Sequence, residues 1–433
     1  MSKDLRILLV GNGGREHALA WKLSQSPLVE QIYVCPGNGG TAGLLKTQNL
    51  DSVSASDFAG LADFAVKQKI QLLVPGPEQP LVDGITDYFA KHASSVKCFG
   101  PSEKAAVMEG SKTFSKDFMK RHDIPTAAYE NFSSYDKAKA YLDSVWEKHP
   151  IVIKADGLAA GKGVIIPTSK EEAQTALWEI MMDRQFGDAG SEVVIEEFLD
   201  GHEISILSFC DGKTIKSLPP AQDHKRIFDN DKGPNTGGMG TYAPAPQKIV
   251  SKESLDEIER LVLKPTIQGM ASEGFPFVGC LFTGFMMTKD GPRVLEYNVR
   301  FGDPETQSLL PLLDSDLAEI MLACSEGRLS QVELRIANKS AATVVMAAAG
   351  YPGSYQKGTE IILSPTPDDV FIFHAGTTLS DDGKLKTSGG RVIASSAVAD
   401  TLEAAVRKAY EGVNSVKFEG MQYRRDIGAR AFR

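Results

Sequence analysis

The residues with the clearest capacity for chemistry lie in LEYNVRFGDPE (295–305). Leu295 and Tyr297 alternate with Glu296 and Asn298, the period-2 pattern of a half-buried strand. One face of that strand then carries a carboxylate and a carboxamide two residues apart, both oxygen donors suited to a hard divalent cation. Arg300 follows, and Gly302-Asp303-Pro304-Glu305 turns the chain with helix-start chemistry. Oxygen ligands beside a guanidinium suit a site that handles Mg²⁺ and a polyphosphate. Read alone, the same residues also describe a strand end with a solvated ion pair.

Other segments carry complementary groups. Lys154 sits in the alternating strand 151–155, and GLAAGKG (157–163) follows with Lys162 near its tip. This is not a Walker A loop, because the glycine spacing is one residue short and Gly163 stands where Ser or Thr is required. It is either a mobile flap over phosphates or an ordinary flexible hairpin with a solvated lysine. Glu196 and Glu197 end the strand 192–198, and Glu203 opens the next one. Such acids can hold a ribose and an adenine amino group, or simply edge a solvated strand. Residues 223–226 and 233–240 show no strong period, so this glycine-rich stretch is either functional or disordered. His224 has no second histidine at ligand spacing, which weakens a metal role for it.

The elements that must position these groups follow an α/β rhythm. Residues 5–10 form an apolar strand ending in Gly11-Asn12-Gly13-Gly14, and a helix runs over 15–26. The loop is close to G-x-G-x-x-G, but Glu16 takes the third glycine position. The next strand, 31–35, ends in Pro36-Gly37-Asn38 rather than in an acid, which argues against a nicotinamide site. A phosphate, a phosphorylated sugar or a structural tight turn fits the loop. Strand 71–74 leads into PGPE (75–78), so three glycine loops gather at the carboxyl edge of a parallel sheet. Further helices are expected over 58–67, 81–90, 103–122 (with Ser111 and Lys112 inside it), 136–147, 171–182, 254–271 and 317–325. Strands 278–288 and 293–298 pair across Asp290-Gly291. Beyond residue 341, strands at 342–349, 360–363, 370–374 and 392–397 with a helix at 401–413 form a separate α+β module. Within it Ser388-Gly389-Gly390-Arg391 reads as a turn or a substrate loop.

Composition narrows the classes. The 433 residues are 42% hydrophobic and 24% charged, as in ordinary globular proteins. A net charge of −9 argues against nucleic acid as a bulk partner. Five scattered cysteines without C-x-x-C exclude a common zinc ribbon and point to a reducing compartment. No apolar run approaches the roughly 18 residues of a membrane span, and no signal-peptide core is present. A cytoplasmic location is expected, with no membrane partner.

Taken together, GNGGREH (11–17), PGPE (75–78), KADGLAAGKGV (154–164), EEFLDGHE (196–203), QDHKR (222–226), GPNTGGMG (233–240) and EYNVRFGDPE (296–305) resemble the glycinamide ribonucleotide synthetase family of the ATP-grasp superfamily. The resemblance covers essentially the whole chain. It implies an N-terminal parallel-sheet α/β domain (1–101), an ATP-grasp domain (102–328) with a mobile lid at about 125–190, and a small C-terminal α+β domain (329–433). It also implies ligation of glycine to 5-phosphoribosylamine with ATP and Mg²⁺ or Mn²⁺, as a step of purine synthesis. Lys112, Lys154 and Lys162 would contact ATP, Glu196, Glu197 and Leu199 the adenine, and Glu203 the ribose. Glu296 and Asn298 would be metal ligands, and Arg300, with Lys162, would serve the transferred phosphoryl group. Gly13, Gly14, Arg15, Gly37, Pro77 and Glu78 would line the ribosylamine crevice, completed by Asp223, His224, Lys225, Gly237, Gly238 and Met239. One departure from the wider superfamily is that 284–288 (GFMMT) carries no further acidic metal ligand.

Overall fold

The computed structural model describes residues 4–158, 163–183 and 187–432. Lys162 and its expected role therefore lie outside the described residues. The first sheet is parallel throughout, with β1 (Leu5–Gly11), β2 (Val29–Pro36), β3 (Thr47–Asn49), β4 (Leu72–Pro75) and β5 (Lys97–Cys98) in the order β3-β2-β1-β4-β5. Central strands β1 and β4 are almost wholly apolar because both of their faces are covered; Ile7, Leu8, Leu9, Leu72 and Leu73 are fully buried. Helix α1 (Gly14–Ser24) leaves the first glycine loop and α2 (Phe58–Lys67) precedes β4. The helix expected over 81–90 is two, α3 (Glu78–Val82) and α4 (Ile85–His92), parted by Gly84. Gly84 has φ +83°, a left-handed geometry that glycine adopts without strain.

The helix expected over 103–122 is also broken, into α5 (Glu103–Gly110) and α6 (Lys112–Arg121). Ser111 is extended, and its hydroxyl accepts the N–H of Phe114 at 3.1 Å. Asp156 adds a second acceptor, taking the N–H of Thr113 at 2.9 Å. Capping chemistry thus overrides a helical period that runs on through the break. Its effect is to place Lys112 at the start of a helix.

A small sheet of β6 (Tyr129–Phe132), β7 (Ile151–Ala155), β8 (Val164–Ile165) and β9 (Val193–Glu197) follows, in the order β6-β9-β7-β8. It carries α7 (Tyr135–Val145) and α8 (Lys170–Met181) and keeps its own core. Next come β10 (His202–Asp211), β11 (Ile215–Ser217), β12 (Gln222–Asp223), β13 (Arg226–Phe228), β14 (Lys232–Asn235) and β15 (Gly240–Ala243). Helices α9 (Lys252–Ile258) and α10 (Lys264–Ser272) are joined by a π turn and lead to the hairpin β16 (Val278–Thr288) and β17 (Gly291–Asn298). Strands β11-β10-β16-β17 form an antiparallel sheet whose apolar residues share core with the first sheet on both of its faces.

Residues 223–226 and 233–240, which show no strong period in the sequence, contribute to the β13–β14 hairpin and to two further strands. Their glycine and proline content hides strands that are fixed by long-range pairing. After α11 (Glu305–Leu309) and α12 (Leu317–Ser325), β18 (Ser340–Ala347), β19 (Ile362–Leu363), β20 (Val370–His374), β21 (Thr377–Leu379), β22 (Leu385–Thr387) and β23 (Arg391–Ala399) lead to α13 (Leu402–Val413), β24 (Val416–Lys417) and α14 (Ala429–Phe432). The large C-terminal sheet runs β12-β15-β18-β23-β20, so it draws two strands from before residue 329. All five cysteines are free, and no described helix is long and apolar enough to cross a membrane.

Candidate active site

Strand β17 positions the center of the site as its alternation requires. Glu296 lies opposite Gly284 and Asn298 opposite Phe282, so both oxygen donors project from one face while Tyr297 is buried on the other. Burial pushes the Glu296 carboxyl up, but Lys225, Lys154, Lys112 and Arg300 together outweigh it and hold the group below the usual carboxylate range. Among the described residues no three His, Cys, Asp or Glu side chains are grouped to hold an ion unaided. Glu296 and Asn298 nevertheless fit a hard cation: one is anionic, both offer oxygen, and glycine opposite leaves room for phosphate oxygens to complete the shell.

Arg300 is a crossing point between elements. Its guanidinium pairs with Glu78 at 3.2 Å and Glu109 at 2.9 Å and donates to the Asn298 side-chain oxygen at 3.1 Å. Glu109 also accepts the N–H of Val299 at 2.7 Å. Its carboxyl is pushed up to about 6 by burial, with the Arg300 cation opposing. Burial disfavors the Arg300 charge, yet Glu109 and Glu78 outweigh it and keep the guanidinium firmly protonated.

The lysines approach from two sides. Lys112 donates to the Gly157 carbonyl at 2.8 Å, and burial lowers its pKa although Glu296 opposes the shift. Lys154 reaches the Leu295 carbonyl at 3.2 Å and pairs with Glu196. Glu196 pairs as well with Lys116, so each of its carboxylate oxygens is engaged by a lysine. Glu197 accepts the N–H of Ala128 at 2.9 Å. Leu199 is half-buried beside the exposed Phe198. Glu203 pairs with Lys225 at 3.1 Å, and that cation lowers its pKa.

The loops of the first sheet meet the C-terminal sheet across a cleft of about 470 Å³. Gly13 and Gly37 line it, with Asp303, Thr378, Ser388 and Arg391 facing them. The α1 N-terminus is not an open anion site: Glu16 takes the N–H of Gly13 at 2.6 Å and Asp303 that of Arg15 at 3.2 Å. Arg15 itself is buried, bonded to Glu16 at 2.5 Å and to the Phe301 carbonyl at 3.1 Å. Gly14 is packed against Gln307, and Pro77 precedes α3 beside Glu78. Gly238 (φ +117°) lets the chain pass against Pro304, and the Gly237 carbonyl accepts from Arg391 at 2.8 Å.

Two residues expected in the substrate pocket have enclosed side chains. The ring of His224 is fully enclosed, accepting the N–H of Gly428 at 3.3 Å, and burial lowers its pKa to about 3. Met239 is likewise enclosed, against Ile227 and Ala347. Neither side chain lines the cleft; His224 bonds to Gly428 and Met239 packs on Ala347 of the C-terminal sheet. Asp223 adjoins Glu305, whose carboxyl is pushed up to about 7 by burial and then by Asp223.

Models of three units match in succession: the phosphoribosylglycinamide synthetase N domain over residues 5–109, the ATP-grasp (A) domain over 110–306 and the C domain over 341–430. The chain belongs to the phosphoribosylglycinamide synthetase family. A bifunctional purine biosynthetic protein of Pichia angusta is 58% identical over 438 residues, which cover 100% of this chain and 54% of that protein. The chain thus spans about half the length of such relatives. A phosphoribosylamine–glycine ligase of Vibrio parahaemolyticus is 47% identical, with 99% of this chain and 98% of that one covered. The crystal structure of a phosphoribosylamine–glycine ligase from Thermotoga maritima superposes with a TM-score of 0.82 at 35% identity, covering 98% of this chain and 100% of that one.

Within this family frame, sequence reasoning missed Glu109 and Lys116. Glu109 and Lys116 flank the recognized Lys112, but their partners lie 80 to 190 positions away, beyond any local spacing rule. Arg391 did stand in a glycine loop that was singled out as a possible substrate contact.

Proposed function

We propose that this chain joins glycine to 5-phosphoribosylamine with ATP and Mg²⁺ or Mn²⁺, through glycyl phosphate, giving glycinamide ribonucleotide, ADP and phosphate. The observation that carries this reading is the convergence of Lys112, Lys154, Lys225 and Arg300 on Glu296, with Asn298 beside it. Such a set neutralizes a polyphosphate while it is being transferred. A divalent ion held by Glu296 and Asn298 would spread charge over the phosphate oxygens. Lys112 and Lys154 would hold the nucleotide phosphates, and the connector at Glu197 to Leu199 would hold the adenine through its backbone.

A carboxylate does not acylate an amine near neutral pH because oxide is a poor leaving group. Phosphorylating glycine converts that oxygen into part of phosphate, a good leaving group. Arg300 would balance charge on the transferred group and on the tetrahedral intermediate. The amine would then attack from the cleft, where Gly37 would face the sugar and Arg391, Ser388 and Thr378 its 5-phosphate, with Glu78 beside them on Arg300. No enzyme nucleophile is required, so the protein's work is positioning and the exclusion of water from the acyl phosphate. Residues 102–328 would form the catalytic unit between 1–101 and 329–433, and the sheet β6-β9-β7-β8 with its separate core would serve as the lid. The setting would be cytoplasmic.

The test is ADP release that requires both glycine and 5-phosphoribosylamine, run with glycine labeled by ¹⁸O in its carboxylate. One label should pass into inorganic phosphate for each amide formed. AMP and pyrophosphate as products, or unlabeled phosphate, would overturn the mechanism.

A further inference from the structure

One buried cation is unused in that scheme. The Lys116 side chain is 3% exposed, as is that of its partner Glu196. The ammonium donates to the Thr126 hydroxyl at 2.7 Å and lies 5.7 Å from the center of the Tyr129 ring. Glu196 offers one oxygen to Lys116 and the other to Lys154. Both ends of this network rest on β17 just before Glu296: Thr126 donates to the Val294 carbonyl at 2.6 Å, and Lys154 to the Leu295 carbonyl at 3.2 Å.

The charge count gives the arrangement its meaning. Two ammoniums share the Glu196 carboxylate, so within this trio one positive charge is left over, and it faces Glu296. With Glu296 committed to a divalent ion, a polyphosphate would supply the counter-charge that this buried cation needs. Without Lys116, Glu196 would neutralize Lys154 alone, and the pair would present no net charge to the nucleotide.

We propose that Lys116 is a positioning residue for nucleotide binding: it neutralizes Glu196 so that Lys154 keeps its positive charge for the phosphates. This rests on the reading of Lys154 as a nucleotide contact. Burial lowers Lys116 to about 8, Glu196 and Glu197 opposing and Lys154 adding to the shift. The groups facing it are those two acids on β9, Lys154 on β7 and the Tyr129 phenol on β6, which itself donates to Asp117 at 2.8 Å. Loss of the Lys116 proton at alkaline pH would therefore act on the nucleotide as removal of its charge does.

The test measures binding of a non-hydrolyzable ATP analog with Mg²⁺ to the full chain by calorimetry. Lys116→Met should weaken binding by about ten- to hundred-fold at neutral pH, the usual scale for losing a residue that orients a ligand contact. Adding Glu196→Gln removes the carboxylate that captures Lys154, so the double variant should return to within about three-fold of the unsubstituted protein. A role in packing alone would not produce that rescue. Between about pH 7 and about pH 9 the affinity of the unsubstituted chain should fall more steeply than that of Lys116→Arg, because a guanidinium does not titrate there. Equal affinity of Lys116→Met and the unsubstituted chain, or a double variant as weak as the single, overturns the proposal. Should Lys116→Met fail to fold in a melting experiment, equal pH slopes for Lys116→Arg and the unsubstituted chain overturn it instead. No analog binding to the unsubstituted chain would sink the nucleotide reading itself, and normal analog binding without ligation would sink only the choice of substrates.

Discussion

Glu296 is surrounded by Lys225, Lys154, Lys112 and Arg300, and that environment determines what its replacement would do. Glutamine keeps the shape and one oxygen donor but removes the anion around which four cations are arranged. We expect Glu296→Gln to lower turnover by about two orders of magnitude or more with the fold intact. Near-normal turnover across a magnesium titration would place the metal elsewhere. The types of these residues were legible from strand alternation and from a family motif, and their shared face followed from the period-2 rule. Their partners were not legible. Glu109 reaches Arg300 and Val299 from a helix 190 positions earlier, and burial gave His224 a purely internal partner. Spacing rules describe neighbors in one element, whereas the electrostatics of a site come from several.

At the level of elements, the break at Ser111 does the most for function. One continuous helix would present Lys112 from its side, but the extended Ser111 makes that lysine the first residue of α6, next to Gly157. Ser111→Ala should remove a cap worth about 1 kcal/mol, which corresponds to roughly five-fold faster amide exchange at Phe114. Ser111→Thr should restore protection, and identical exchange in all three proteins would show that Asp156 alone caps the helix. Most strands were readable because β1, β4, β16 and β17 each bury the faces that their patterns advertise. The breaks at Ser111 and Gly84 were not, because apolar periodicity continues across them while a cap and a left-handed glycine decide the backbone. The β13–β14 hairpin escaped for the opposite reason. Its residues have low strand propensity, and pairing within the fold overrides it.

Across the whole molecule, buried histidines lie where the segments meet. His17 of α1 accepts the N–H of His374 of β20 at 2.7 Å, which joins the first sheet to the C-terminal one. Burial and the neighboring His374 lower His17 to about 3, and burial lowers His374 to about 4. An unfolded histidine takes up its proton near pH 6.5, long before these do. The stability carried by their neutrality is thus complete above about 6.5 and is lost as the pH falls toward 3 to 4. Glu109 and Glu305, raised to about 6 and about 7 by burial, act in the opposite sense, so a difference measurement is needed. His17→Asn keeps an acceptor for the His374 N–H but cannot be protonated. Between about pH 6 and about pH 4 this variant should lose roughly 1.4 kcal/mol less stability per pH unit than the unsubstituted chain. Parallel curves would mean that His17 protonates freely in the fold. The order of α/β and α+β regions was legible in the sequence, but the seam between them was not. Strands β12 and β15 precede residue 329 and yet extend the sheet of β18, β23 and β20, with Tyr242 fully enclosed in its core. A fragment confined to 341–430 would lack β15, one of the two strands that pair with β18, and would lay open an edge for aggregation. The C-terminal sheet is therefore portable only together with residues 222–243, which carry its two outermost strands on that side.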